Sequence, residues 1–452
     1  MGRITLEQAA AWCGGQIDPK YRNVVFYGAS NDTRTIKEDQ LFVALKSARD
    51  GHEFIPQAIE KGAAAVLCSH CEIDCPAILV EDPRQALGDT ARMERKTRGL
   101  RVVGITGSVG KSTTKEMVYE ILQTTFRTAK TPANHNNDIG LPMAILAMPE
   151  ETQVAVLEMG MNHFREMAYL SSIAQPDLAV IVNIGTMHME NLGSQEGILQ
   201  AKMEILECMD RDAPVIVNGD DILLWNSRRG SRPFCSFGQS NSEADVQAKN
   251  VENRTGGLDF DVEGLGKSFH ISMPVEGEHY VSDALAAVSV GLKLGVSEEK
   301  IAQALSDFHN MEGRQEILQV QGFTIIKDCY NAGPESMAAA LKVLHNQKGR
   351  KIAVLGDMLE LGVRTQAEHY RVGRFAAESA DLLLVYGPNA GRVLSGALTG
   401  GLAGERAKAF ENKDDMVKTL RRVAKPGDVL LFKGSHGMHM ENVLEKFLAE
   451  EK

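Results

Sequence analysis

One segment constrains this chain more than any other: Gly104-Ile-Thr-Gly-Ser-Val-Gly-Lys-Ser-Thr-Thr114. An apolar run, Arg101 to Thr106, leads into it, and a helix-favouring run, KSTTKEMVYEILQ, leaves it. Strand, glycine turn and helix in that order form a cradle for phosphate. Glycines at 107 and 110 let backbone N–H groups turn inward around phosphate oxygens, and the helix N-terminus adds the positive end of its dipole. The spacing predicts Lys111 at the terminal phosphates and the Ser112 hydroxyl on Mg²⁺. Position 105 holds Ile where the strict G-x-x-x-x-G-K-[ST] pattern has Gly, so the loop is a T-G-x-x-G-K-[ST] variant.

A cradle of this kind sits at the edge of a parallel sheet, and the chain around it alternates accordingly. Strand-like Arg101 to Thr106, Val154 to Glu158, Leu178 to Asn183 and Val215 to Asn218 are interleaved with helical Ser112 to Thr125 and Ile198 to Met209. Beyond residue 311, KIAVLG, DLLLVYG and DVLLFKG are buried-strand runs closed by glycine, the pattern of a Rossmann-like sheet. At about 150 residues per domain, 452 residues predict three domains. Compositional seams near Glu81 to Arg101 and Asn310 to Gln319 put them at 1–84, 85–311 and 312–452. The expected fold class is α/β: a small N-terminal α/β domain, a central parallel-sheet ATPase domain with the phosphate loop, and a C-terminal Rossmann-like domain.

Lys and Arg number 49 against 60 Asp and Glu, and the net charge of -11 opposes a general nucleic-acid binder. Anionic ligands therefore need local cations. No apolar run approaches the roughly 20 residues that span a bilayer, and the start MGRITLEQAA lacks a signal peptide pattern. With seven cysteines in so long a chain, a disulfide framework is not expected, and a cytoplasmic location is. Cys68, His70, Cys71 and Cys75 lie within eight residues with no second ligand pair, which favours a strand and its loop over a metal site.

Glu158 closes the strand VAVLE, where a carboxylate can hold Mg²⁺ against bound phosphates. His188, in the loop after the next strand, is either a second metal ligand or a packed histidine. Lys202, in GILQAKMEILE, is by default a solvated helix lysine.

Taken together, ITGSVGKSTTKEM, TPANHNNDIGLPMAIL, VLEMGMNHFREMAYL and NIGTMHMENLGSQEGILQAKMEI resemble segments of the Mur ligase superfamily, over essentially the whole chain. The similarity is nearest to its MurF-type branch, which joins D-alanyl-D-alanine to UDP-N-acetylmuramoyl-tripeptide. That resemblance implies ATP contacts from Thr106, Gly107, Ser108, Val109, Gly110, Lys111, Ser112 and Thr113. From the third domain it implies Arg314 in GRQEI and Asp328, Tyr330 and Asn331 in KDCYNAGPESM, approaching across a cleft. On the UDP-substrate side it implies Thr33, Arg34, Asp50 and His52, with Asn134, Asn136 and Asn137 of the asparagine loop; solvated loop residues are the plain alternative for the first four. It also reverses the default for Lys202, which in this family is typically carbamoylated and so becomes an anionic metal ligand.

The mechanism implied is a two-step ligation with ATP and two Mg²⁺. Ser112 and Glu158 hold one ion, and His188 with carbamoylated Lys202 holds the other. The tripeptide carboxylate is phosphorylated to an acyl phosphate, the dipeptide amine displaces phosphate, and closure of the third domain keeps water out. Lys111, Glu158, His188 and Lys202 are the expected catalytic residues of a monomer acting on small molecules, without nucleic acid or membrane insertion. Several positions depart from the branch pattern: Lys46, Ser282 with Asp283, Gly333 and His436. Two other readings share the loop. One is a sibling or folylpolyglutamate-synthetase-like ligase with another amine acceptor. The other is a non-catalytic nucleotide-binding regulator, which intact Lys111, Glu158, His188 and Lys202 oppose.

Overall fold

Short apolar runs bounded by turn residues become strands, and longer amphipathic stretches become the helices that cover them. The computed structural model describes residues 2–187, 189–228, 230 and 232–449. His188, an expected metal ligand, lies outside the described residues. Near the N-terminus β1 (Ile4–Thr5) and β2 (Val25–Phe26) pair antiparallel. A small parallel sheet follows, with β3 (Ala29–Ser30), β4 (Leu41–Val43), β5 (Ala65–Cys68) and β6 (Ala77–Leu79) in that order. In the β5–β6 loop the Cys71 and Cys75 sulfurs lie 3.6 Å apart. The charged stretch after β6 is the helix Pro83–Arg98, started by the Asp82 carboxylate accepting from the Arg84 and Gln85 amides and stopped by left-handed Gly99. It packs on the helix Leu6–Cys13 and on Gly140–Leu146 and Glu166–Ala174, tying the first sheets to the next.

The central sheet contains β7 (Arg101–Thr106), β8 (Thr128–Lys130), β9 (Val154–Glu158), β10 (Leu178–Ile181), β11 (Val215–Asn218), β12 (Phe234–Gly238), β13 (Val246–Arg254), β14 (Gly257–Gly264) and β15 (Lys267–Met273). Their spatial order is β15-β14-β13-β12-β11-β10-β7-β9-β8. From β8 to β13 neighbours run parallel, and every residue of β9, β10 and β11 is buried, because helices cover both faces. The sequence reading of a mainly parallel sheet omits its antiparallel margin, β13 to β15. There the signal is period two: in β14, Leu258, Phe260 and Val262 are buried while Asp259, Asp261 and Glu263 are more exposed.

The helix Lys111–Gln123 leaves the phosphate loop and buries Met117, Val118, Ile121 and Leu122 completely. Each contributes roughly 1.5–3 kcal/mol relative to exposure. Its partner is the helix His279–Lys293, where a Cβ on Gly291 would come 2.8 Å from Ile121 Cγ2; only glycine permits that approach.

The last sheet holds β16 (Glu316–Val320), β17 (Phe323–Asp328), β18 (Lys351–Gly356), β19 (Leu382–Tyr386), β20 (Ala407–Phe410) and β21 (Val429–Lys433), ordered β16-β17-β21-β18-β19-β20. Only the β16–β17 pair is antiparallel. The chain is thus α/β with three domains: a small N-terminal one, a central one bearing the phosphate loop, and a Rossmann-like C-terminal one. Among the described residues, no helix is long and apolar enough to cross a membrane.

Candidate active site

Because β10, β7 and β9 are neighbours and parallel, the loops after them leave the same edge of the sheet. That edge forms one wall of a cavity of about 860 Å³, and the C-terminal domain forms the other. Ser108 to Thr113, Glu158 and Lys202 line it from the central domain; Arg314, Asp328, Tyr330, Asn331 and Lys433 line it from across the cleft.

At its floor the Ser112 hydroxyl donates to Glu158 Oε2 at 2.7 Å and accepts from Arg314 Nη2 at 2.8 Å. The Arg314 guanidinium stacks on Tyr330, 3.9 Å from the ring centroid. Asn136 Nδ2 donates to Glu158 Oε1 at 3.0 Å, so both carboxylate oxygens are engaged. Lys111 Nζ donates to the Gly107 and Ser108 carbonyls at 2.8 and 3.1 Å. Burial holds its pKa below the ordinary lysine value; Glu158 opposes the shift and Arg314 adds to it. Lys202 is 2% exposed and donates to Gly107 O at 2.9 Å. Burial, with Lys111 as the second cause, pushes its pKa well below the usual value, so its amine is driven toward the neutral form. The plain reading of Lys202 as a solvated helix residue is therefore incorrect: the C-terminal turn of Gln195–Met203 faces the phosphate loop rather than water. Thr106 Oγ1 is buried and has no hydrogen-bond partner among the described residues.

The remaining residues divide. Asp328 Oδ2 accepts from Lys433 Nζ at 2.6 Å, and Lys433 also donates to Asn331 O at 3.0 Å. Asn137 Oδ1 accepts from the Ile139 and Gly140 amides at the start of a helix, and Asn134 O accepts from the Asn136 amide. Thr33, Arg34, Asp50 and His52 do not line this cavity. Thr33 Oγ1 donates to Gln57, exposed Arg34 pairs with Asp32 at 2.7 Å, and Asp50 Oδ1 lies 2.6 Å from His52 Nδ1, whose Nε2 accepts from the Ser69 amide.

A family model described as the Mur ligase middle domain matches residues 105–291, and one described as Mur ligase, glutamate ligase domain matches residues 313–436. The chain is 39% identical to the UDP-N-acetylmuramoyl-tripeptide--D-alanyl-D-alanine ligase of Bacillus subtilis, over 99% of each chain. The chain belongs to the Mur ligase family. Solved relatives of the MurF type match over nearly the whole chain. A crystal structure of MurF from Acinetobacter baumannii superposes with a TM-score of 0.91 at 32% identity, over 100% of each chain. That of the MurF ligase from Thermotoga maritima in complex with ADP gives 0.83 at 30%, over 93% of this chain and 97% of that one.

The site of this Mur ligase also contains residues that the sequence did not single out. Asn183, just beyond β10, accepts from the Ser108 and Val109 amides through Oδ1 at 3.1 and 3.0 Å and so pins the phosphate loop. Lys115 is 1% exposed; it donates to Thr131 O at 3.0 Å and lies 3.8 Å from Glu158 Oε2. A signal existed: Lys115 stands one turn after Lys111, on the face shared with Val118 and Leu122. Lys433 ends the apolar strand β21, where a charge has no place unless the strand opens onto a site.

The positions that depart from the branch pattern have places in the structure. Asp283 is buried against the loop and accepts from Thr114 Oγ1 at 3.1 Å; desolvation pushes its carboxyl up to about 7, against Thr114 and Arg314, which lower it. Gly333 precedes the helix Pro334–Asn346, Lys46 lies 3.9 Å from Asp50, and His436 stands 6.2 Å from the Tyr330 ring.

Proposed function

We propose that this Mur ligase joins D-alanyl-D-alanine to UDP-N-acetylmuramoyl-tripeptide at the cost of ATP, through an acyl phosphate, as a step of peptidoglycan precursor synthesis. Full-length identity to ligases of that name supports this acceptor over a sibling or folylpolyglutamate-type one. The observation that carries the reading is the contact made across the cleft, Arg314 to Ser112 to Glu158. It joins a lid arginine to the groups that meet the terminal phosphates, which a passive nucleotide-binding scaffold does not need.

The donor set fits Mg²⁺, since a serine hydroxyl and a carboxylate are hard oxygen ligands. Ser112 and Glu158 would hold one ion, and His188 with Lys202 the second. Bound there, Mg²⁺ supplies neutralisation of phosphate charge. The depressed pKa of Lys202 supports its carbamoylation, because only the free amine adds CO₂, losing one proton and leaving an anion beside Lys111.

Lys111 and Arg314 draw charge from the γ-phosphate as the tripeptide carboxylate attacks it. The dipeptide amine then attacks the acyl carbon, and phosphate leaves as the amide forms. The lid wall keeps water from the acyl phosphate. Thr33, Arg34, Asp50 and His52 serve the UDP end, and Asn134, Asn136 and Asn137 the substrate side near Glu158. The units act as 1–84 for UDP-substrate, 85–311 for ATP and 312–452 for closure and dipeptide, in a cytoplasmic monomer that needs neither nucleic acid nor membrane.

ADP release with UDP-muramoyl tripeptide, with and without D-alanyl-D-alanine, tests the reading. Turnover that requires the dipeptide is expected. Turnover with a single amino acid and none with the dipeptide overturns it.

A further inference from the structure

The loop after β10 is held from two sides. On one side it is stitched to the phosphate loop: Gly185 N donates to Ser108 Oγ at 2.9 Å, next to the Asn183 contacts. On the other side it meets the C-terminal domain. Glu335, in the first turn of Pro334–Asn346, accepts through Oε1 from both the Thr186 amide, at 3.1 Å, and the Thr186 hydroxyl, at 3.0 Å. The approach is close, since a Cβ on Gly185 would lie 3.3 Å from the Glu335 carboxyl carbon.

We infer that Glu335 is a positioning residue of the ligation reaction: from the lid it fixes Thr186, and with it the loop leading to His188, so that this loop is set only when the C-terminal domain is down. The inference rests on the reading of that loop given under the proposed function. A carboxylate near a helix N-terminus gains from the dipole wherever it stands in the first turn, and that gain needs no partner in another domain. Here one oxygen takes two donors from a single residue 149 positions away. Among the described residues, the other oxygen, Oε2, has no hydrogen-bond partner. A hydrogen bond gains little net free energy over the bonds to water that it replaces, so the contact does not lock the lid shut. It sets the loop on closure and lets it go on opening, which is what turnover requires.

Three variants separate the possibilities. Glu335→Gln keeps an acceptor for Thr186 and loses the charge; Glu335→Ala loses both; Thr186→Val removes one donor. Glu335→Ala is expected to lower kcat roughly tenfold, with the KM for ATP within about twofold of wild type, and Glu335→Gln to stay within about twofold on both. The double variant Glu335→Ala, Thr186→Val should be no slower than Glu335→Ala alone, because the two residues act as one contact. A second readout is independent of turnover. With a non-hydrolysable ATP analogue, amide exchange at 183–187 should slow in wild type and Glu335→Gln but not in Glu335→Ala. Unchanged kcat and exchange in Glu335→Ala, a Gln variant as impaired as Ala, or additive effects would each overturn the assignment. If wild type shows no dipeptide-dependent turnover, the proposed function fails, while the exchange arm still decides the role of Glu335.

Discussion

Lys111 and Lys202 donate to one acceptor, the Gly107 carbonyl, at 2.8 and 2.9 Å. Were both protonated, two ammonium groups on one oxygen would repel each other, and burial adds to the cost. The pair is therefore electrostatically incomplete until phosphate or another anion arrives, and Lys202 takes the larger depression.

The first prediction follows from that pair. A lysine whose folded pKa is depressed lowers stability most at pH values below it, and the handicap shrinks as pH rises toward the unfolded value. In protein kept free of CO₂, so that Lys202 stays a free amine, Lys202→Met should therefore be more stable than wild type by roughly 1–2 kcal/mol near neutral pH, with the difference closing at high pH. The same change should lower kcat by roughly 100-fold or more. Thermal melts across pH and steady-state rates check this, and a variant that melts lower and turns over normally contradicts it. In Lys202→Ala, partial rescue by a short carboxylic acid is expected if the carbamate is the working form.

Asp283 gives the opposite sign. Its carboxyl is raised from 3.8 to about 7, so its contribution to stability is full below the unfolded pKa and is lost as pH rises through about 7. One pKa unit is about 1.4 kcal/mol, so the loss is at most roughly 4 kcal/mol. Asp283→Asn should match wild type near pH 4 and exceed it in melting temperature at pH 8. Ionised Asp283 also faces the phosphate loop at Gly110, beside Thr114 and Arg314. The KM for ATP should accordingly climb above pH 7 in wild type and stay flatter in the variant.

Gly110 has φ +83°, and a Cβ there would come 2.3 Å from Asp283 Oδ1. Gly110→Ala is expected to weaken nucleotide binding at least tenfold by titration calorimetry, from backbone strain of about 1–3 kcal/mol added to the clash. Binding equal to wild type would show that the loop adapts.

Arg314 combines a hydrogen bond to Ser112 with a face on Tyr330. A lysine cannot do both, because its charge is a point rather than a plane. Arg314→Lys should lower kcat by roughly 10- to 100-fold while ADP affinity changes little. Equal losses in both would place Arg314 in ground-state nucleotide binding.

The phosphate loop, β7, β9, β10, β11 and the three glycine-closed strands of the last domain were legible because each is a local pattern: an apolar run of fixed length beside a turn residue. Lys111, Ser112 and Glu158 followed from those patterns, since the ends of parallel strands share an edge. The antiparallel margin β13 to β15 was missed although β14 alternates plainly. Lys115 was missed because a lysine in a helix is read as solvated unless its face is counted.

By itself the sequence determined the fold class, the phosphate loop and the Mur ligase family, because motif spacing and hydrophobic period act over a few residues. Tertiary structure alone decided that Lys202 meets Gly107, 95 positions away, that Arg314 reaches Ser112 across 202, and that Glu335 finds Thr186 across 149. Those contacts depend on the order β10-β7-β9 and on how the last domain seats over the strand ends. The chemistry they create, a depressed lysine and a raised carboxyl, comes from desolvation by neighbours far apart in the chain, which no local pattern carries.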